Sequence, residues 1–273
     1  MTDIIIAASV VAVTGLICGL ILALASKFMN IAQDERISDI RECLPGANCG
    51  ACGFTGCDGY AKAIIETEGT PTNLCTPGGA ETARKIAGKL GVEFSEVEKK
   101  VAFVKCHGDC SATTIKFNYE GINTCTAAKM HFSGHWACPH GCLGFGDCAL
   151  VCSENAISIK DGVAHVDPSR CIGCGLCAKT CPNALISIFP ITKQTIVSCS
   201  NTDKGVIARA VCSNACIGCK KCEKTCTEGA IKVENNLAKI DGEKCTSCGS
   251  CVQACPVGCI KIADFAAVSS IQI

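Results

Sequence analysis

Cys171, Cys174, Cys177 and Cys181 stand in the run CIGCGLCAKTC, and Cys245, Cys248, Cys251 and Cys255 in CTSCGSCVQAC. Cys216, Cys219, Cys222 and Cys226 repeat the spacing in CIGCKKCEKTC. Three closely spaced thiolates wrap one corner of an iron–sulfur cube, and a fourth from elsewhere closes the cage. In two-cluster 4Fe–4S modules the fourth cysteine of each run ligates the other cluster. Crossed in this way, Cys216, Cys219 and Cys222 take Cys255, while Cys245, Cys248 and Cys251 take Cys226. In the preceding unit Cys171, Cys174 and Cys177 take Cys152, and Cys138, Cys142 and Cys148 take Cys181. The last set is irregular in spacing. Structural zinc uses paired CxxC runs of four ligands, so crossed runs of four cysteines weigh against it.

A further set lies upstream. LPGANCGACGFTGC (44–57) carries Cys49, Cys52 and Cys57, and Cys75 follows 18 residues later. These four suit one cubane. The glycines between them would let backbone N–H groups approach sulfur, one of the levers on cluster potential. Five 4Fe–4S clusters are therefore expected, on 20 cysteines. Eight cysteines remain. Cys106, Cys110, Cys125 and Cys199 are candidates for a sixth cluster, or else buried or free thiols. Cys18 reads as an apolar filler and Cys259 as core packing, Cys43 completes no spacing, and Cys212 is unassigned.

The elements that must hold these ligands form a repeat. An offset of 74 residues carries Cys171, Cys174, Cys177 and Cys181 onto Cys245, Cys248, Cys251 and Cys255. It also carries Cys142, Cys148 and Cys152 onto Cys216, Cys222 and Cys226, and Cys125 and Cys138 onto Cys199 and Cys212. The spacers NAISIKDGVAHVD and GAIKVENNLAKID align as well, which marks a duplicated unit. Among the ligand positions of the runs, Cys219 meets a different residue, Phe145, and Cys138 is the expected substitute. Ser153 and Thr227 stand where a proline usually follows the fourth cysteine. Short runs such as AISI, GVAHV and LISI predict a hairpin and edge strands. DGYAKAIIETEG predicts a helix ending near Gly69, and residues 81–104 two helices split at Gly88 and Gly91.

The compartment decides the cysteine chemistry. The chain has 28 cysteines in 273 residues, a density at which disulfides or metal must be considered. Ile4 to Ala25 is uncharged and long enough to span a bilayer, with a Gly15–Gly19 pair at GxxxG spacing. A signal peptide fits less well, because Asp3 precedes the run and no Lys or Arg does. Lys27, Arg36 and Arg41 follow it, so the long C-terminal part is expected in the cytoplasm and the N-terminus outside. There thiols stay reduced and clustered cysteines mean metal. The expected class is α+β: a transmembrane anchor (1–26), a linker (27–42), a small helical single-cluster domain (43–104), a connecting segment (105–137) and two tandem two-cluster modules (138–190 and 191–273).

The formal net charge is zero, but each cluster with four thiolates adds about −2. Lys220, Lys221 and Lys224 flank ligands in the second module and read as solvation or as a docking patch for an acidic electron carrier. His131 and His135 have helical spacing but no evident task. No GxGxxG turn, P-loop or Ser/His/Asp set is present, so no NAD or flavin site and no catalytic residue is expected, and no nucleic acid.

One apolar N-terminal helix, the Leu-Pro-Gly-x-Asn-Cys-Gly-x-Cys-Gly motif at residues 44–53, a later cysteine and tandem ferredoxin-type repeats together resemble the B subunits of Rnf complexes, in a long form. The resemblance covers nearly the whole chain. It implies one component of a membrane ferredoxin:NAD oxidoreductase coupled to Na⁺ or H⁺ translocation. Electrons would come from reduced ferredoxin and pass toward other membrane and flavin-bearing subunits. Cys49, Cys52, Cys57 and Cys75 would then be the membrane-proximal ligands. An iron–sulfur relay of another membrane reductase is the alternative.

Overall fold

The computed structural model describes residues 2–28, 34–191 and 195–263, without the side chains of residues 2–3, 7–8, 11 and 26–28. The side chains of Asp3 and Lys27, part of the topology expectation, and residues 29–33 of the linker lie outside this description, as do 264–273 of the last unit.

Helix α1 (Thr2–Phe28) runs for 27 residues. Its longest unbroken stretch of described side chains is 12–25, and among the described residues no helix is long and apolar enough to cross a membrane. Ile4, Leu16 and Leu22 are 74%, 72% and 70% exposed, so among the described residues nothing covers them.

Three helices form the next unit: α2 (Glu35–Cys43), α3 (Cys57–Glu66) and α4 (Gly79–Leu90). Asp34 caps α2 by accepting from the Arg36 N–H at 3.0 Å. Ile40, Tyr60 and Ile86 meet in its core, each at most 1% exposed. Helix α4 stops at Gly91, which takes a left-handed φ of 67°. The second helix expected up to residue 104 does not form. Strand β1 (Lys100–Val104) takes its place, because the Val-Ala-Phe-Val run pairs with a distant strand.

The remaining elements fall into two similar units. The first contains α5 (Cys125–Met130), α6 (Asp147–Leu150), β2 (Ile157–Lys160), β3 (Val163–Val166), α7 (Leu176–Thr180) and β4 (Ile186–Pro190). The second contains β5 (Thr195–Val197), α8 (Gly205–Val211), α9 (Lys221–Thr225), β6 (Ile231–Glu234), β7 (Leu237–Ile240), α10 (Ser250–Ala254) and β8 (Ile260–Ile262). Each has a hairpin, β2–β3 with Ile157 opposite Val166, and β6–β7 with Ile231 opposite Ile240. Each is closed by an antiparallel pair of its end strands, β1–β4 with Val104 opposite Ile186, and β5–β8 with Val197 opposite Ile260.

This pairing differs from the expected layout. Because β1 closes onto β4, residues 105–137 are an excursion inside the first unit, not a connector before it. Val104 precedes Cys142 by 38 positions, and Val197 precedes Cys216 by 19. The first unit therefore carries 19 extra residues, including α5, and the constant offset fails upstream of Cys138. The structural counterpart of Cys199, two residues beyond β5, is Cys106, two residues beyond β1.

Candidate metal centres

The first centre lies in the helical unit. Burial pushes the Cys75 thiol up, and neighbouring Cys57, Cys52 and Cys49 add to the effect. Cys57 opens α3 through a turn at Gly56 (φ 107°), where a Cβ would stand 3.0 Å from Asn48 Oδ1. That oxygen accepts from the Cys57 N–H at 2.8 Å. The Tyr60 hydroxyl donates to the Pro71 carbonyl at 2.8 Å and accepts from the Leu74 N–H at 3.2 Å, pinning the Cys75 loop to α3. A backbone amide does reach sulfur here, that of Gly78 to Cys75. Cys43, outside this set, donates to the Asp39 carbonyl at 3.4 Å.

In the first repeat unit Cys152, Cys171, Cys174 and Cys177 line one cavity. The Ala102 N–H donates to Cys171 Sγ at 3.4 Å and the Ala156 N–H to Cys152 Sγ at 3.3 Å. Gly173 (φ 66°) lets the ligand loop touch β1; a Cβ there would fall 2.5 Å from the Lys100 carbonyl oxygen. Burial, then Cys171, Cys174 and Cys152, push the Cys177 thiol up to about 12.

The neighbouring cavity holds Cys125, Cys142, Cys148 and Cys181. Cys125 stands where sequence spacing put Cys138, and the placement has a local cause. Asp147, which starts α6 just before Cys148, accepts from the Cys125 N–H at 2.8 Å and the Thr126 N–H at 3.2 Å. Lys129 Nζ donates to the Pro182 carbonyl beside Cys181. Both ends of α5 are thereby fastened to ligand loops. Phe145, where a ligand would otherwise sit, packs on Tyr119 and His135 with ring centroids 5.4 and 5.2 Å away. His131 ends α5 and His135 lies tilted against Trp136 beyond it, so the two histidines share no helix face.

Cys138 lies instead around a third cavity with Cys106, Cys199 and Cys212, and Cys142 of the neighbouring set also borders it. The quartet of Cys106, Cys110, Cys125 and Cys199 is not assembled, since Cys110 is exposed and Cys125 is held by Asp147. The usable signal is Phe145: a missing ligand in a duplicated unit must be supplied by an insertion, and Cys125 is the cysteine on the inserted helix.

In the second repeat unit burial, then Cys216, Cys219 and Cys255, push the Cys222 thiol up to about 11. Burial, then Cys245, Cys226 and Cys248, push Cys251 up. Both crossed quartets are therefore together in space. Cys259, 1% exposed, places its sulfur 3.6 Å from Cys255 Sγ. Its S–H interaction holds the Cys255 and Cys216 thiols down, while Cys259 itself is pushed up. Its counterpart in the first unit is Leu185, so this thiol contact belongs to one copy only.

The donor sets fit iron–sulfur clusters. Among the described residues no three His, Cys, Asp or Glu side chains converge on a single metal ion. In the first repeat unit the thiols stand around cavities, as a cube with each thiolate on a separate iron requires, whereas tetrahedral zinc draws all sulfurs to about 2.3 Å of one point.

Comparison with known proteins agrees. The family described as "Putative Fe-S cluster" matches residues 44–77, the 4Fe-4S binding domain 164–187 and the 4Fe-4S dicluster domain 215–259. The chain is 42% identical to the B subunit of the Na(+)-translocating ferredoxin:NAD(+) oxidoreductase complex of Acetobacterium woodii, over 89% of its own length and 73% of the relative's. It is 43% identical to the B subunit of the proton-translocating ferredoxin:NAD(+) oxidoreductase complex of Clostridium ljungdahlii, over 88% and 85%. The chain belongs to the family of Rnf complex B subunits. The B subunit of an ion-translocating oxidoreductase complex from Methanosarcina acetivorans is 42% identical over 86% of this chain and 89% of that one. Membership accounts for the dense thiol sets. The cysteines around the third cavity, Cys106, Cys138, Cys142, Cys199 and Cys212, all lie outside the three matched segments.

Proposed function

We propose that this chain is the electron-relay component of a membrane-bound, ion-translocating ferredoxin:NAD oxidoreductase, accepting electrons from reduced ferredoxin and passing them to flavin-bearing partner subunits. The observation that carries the reading is the set of cysteine quartets in one chain whose relatives are so named. The ligands are Cys49, Cys52, Cys57 and Cys75; Cys152, Cys171, Cys174 and Cys177; Cys125, Cys142, Cys148 and Cys181; Cys216, Cys219, Cys222 and Cys255; and Cys226, Cys245, Cys248 and Cys251. A bound 4Fe–4S cluster supplies reversible one-electron storage without bond making. The chain's residues do the rest: thiolates fix position, the Ala102, Ala156 and Gly78 amides stabilise negative charge on sulfur, and burial excludes water.

Neighbour relations support an order. Cys49 is among the groups pushing the Cys174 thiol up, and Cys177 among those acting on Cys148. Lys179 Nζ reaches the Cys49 carbonyl at 2.9 Å, tying α7 to the helical unit. At the other extreme Cys219 and Cys248 are exposed, next to Lys220, Lys221 and Lys224. That end is the entry for ferredoxin. Reversal of all three lysines to Glu should slow reduction by ferredoxin at low ionic strength by about tenfold or more, and the deficit should shrink with salt. Stopped-flow bleaching of the cluster absorbance measures it, and an unchanged, salt-independent rate would remove the docking role.

Helix α1 is the membrane anchor, with the cluster units on the cytoplasmic side. Deleting residues 2–28 should move the chain from the membrane fraction to the soluble one with its iron retained. Retention on washed membranes would place the attachment elsewhere.

A further inference from the structure

The third cavity draws on both repeat units. Cys106 lies two residues beyond β1 and Cys138 four before Cys142; both come from the first unit. Cys199 lies two residues beyond β5 and Cys212 four before Cys216; both come from the second. All four are buried, at 6–8% exposure. We infer that Cys106, Cys138, Cys199 and Cys212 hold a further 4Fe–4S cluster on the pseudo-twofold axis between the modules, and that electrons cross from one module to the other through it.

The surroundings repeat the symmetry. The Cys142 N–H donates to Cys106 Sγ and the Cys216 N–H to Cys199 Sγ, both at 3.3 Å. Cys142 and Cys216 are themselves ligands of the flanking clusters, so each neighbouring site touches the central one through a ligand's own amide. The Asn201 N–H adds a contact to Cys199 Sγ at 3.4 Å, and its side-chain amide one to Cys138 Sγ at 3.6 Å. Asn201 is 1% exposed, a buried amide aimed at two sulfurs. At Gly108 a Cβ would stand 3.1 Å from Cys212 Sγ, so the loop passes close beneath that thiol. Buried thiols serving only as core filler would not need amide donors on three of their four sulfurs.

The fit extends to cross-links between the units. The Thr113 hydroxyl donates to the Val211 carbonyl at 2.8 Å and the Asn214 amide to the His107 carbonyl at 2.8 Å. The cavity is thus a seam held from both sides. With it in place the quartets run in one series, from Cys226/Cys245/Cys248/Cys251 to Cys49/Cys52/Cys57/Cys75, with the seam in the middle.

This inference rests on the relay reading, and the test separates the two. The full chain, purified anaerobically, should hold about 24 irons and no zinc, and the double variant Cys138→Ala/Cys212→Ala about 20. In case the double variant fails to fold, Cys212→Ser alone is compared with the parent by electron paramagnetic resonance during redox titration; one component should shift or vanish while the others persist. In variants that keep the flanking clusters, reduction by ferredoxin should fill the second module at the parent rate and the first at least tenfold more slowly. About 20 irons in the parent chain, zinc in the seam, or an unchanged titration and inter-module rate in the variants would overturn the bridging cluster and leave the relay standing. A chain without iron would overturn the relay itself.

Discussion

Cys125→Ala should cost the protein one cluster, lowering iron by about four per chain, whereas Cys110→Ala should leave iron unchanged. The difference follows from position. Cys125 opens a helix whose first two amides are held by Asp147, beside Cys148, and it shares a cavity with Cys142, Cys148 and Cys181. Cys110 is exposed. Since Phe145 offers no sulfur, nothing within the first module replaces the lost ligand. Electrons entering at the second module should then fail to reach the Cys49 centre at the parent rate, while the second module still reduces normally. Iron assay and the amplitudes of reductive bleaching measure both effects. Four irons retained in Cys125→Ala, with loss in a variant at Cys110, would reverse the assignment.

Iron removal should unfold the two repeat modules and spare much of the helical unit. In the core gathered around the second module seven of the thirteen buried residues are cysteines: Cys199, Cys212, Cys216, Cys222, Cys251 and Cys259, with Cys138 contributed by the first unit. The rest are small or medium apolar residues, Ala208, Ala215 and Ala238 among them, and Val197, Ile231, Ala238 and Ile260 sit on strands of three or four residues. Two-stranded pairs this short are marginal on their own. A net stability of about 5–15 kcal/mol leaves no margin for losing the bonds that join so many buried groups. The helical unit differs in degree, because only two of its seven buried core residues, Cys57 and Cys75, are cysteines, and Ile40, Leu44, Tyr60, Ala61 and Ile86 pack together around them. Chelation under anaerobic conditions should abolish hydrogen-exchange protection in β2, β3, β6 and β7 within the dead time, while amides of α3 and α4 keep part of theirs. Equal protection before and after chelation would show that the apolar core suffices.

The regular cysteine runs are legible in the sequence because cluster ligation is local: three ligands lie within seven residues, and left-handed residues between them, glycine at Gly173, Gly175, Gly218 and Gly249 but also Lys220 and Ser247, turn the chain. The hairpins are legible for a similar reason. What spacing conceals is the insertion. Offset counting aligns Cys125 with Cys199, since both are cysteines 74 residues apart, but β1 pairs with β4 and makes Cys106 the true counterpart. The docking of helix α5 on Asp147 is a tertiary fact that no periodicity encodes. Residues 100–104 read as helix in the sequence because Val97, Val101 and the residues before them keep helical intervals. Gly91 ends that pattern, and the distant partner Ile186–Pro190 decides the outcome.

The seam between the modules also constrains how the molecule is made. Cys106 and Cys138 leave the ribosome long before Cys199 and Cys212, so half of the third cavity exists for a time without its other half. The separate quartets of the first module are complete as soon as Cys181 has emerged, but this one is completed only after β5 and α8 have docked. A scaffold that delivers preformed cubes must therefore wait for the second module before it fills the centre, and the state of that centre records whether both halves of the protein have matured together.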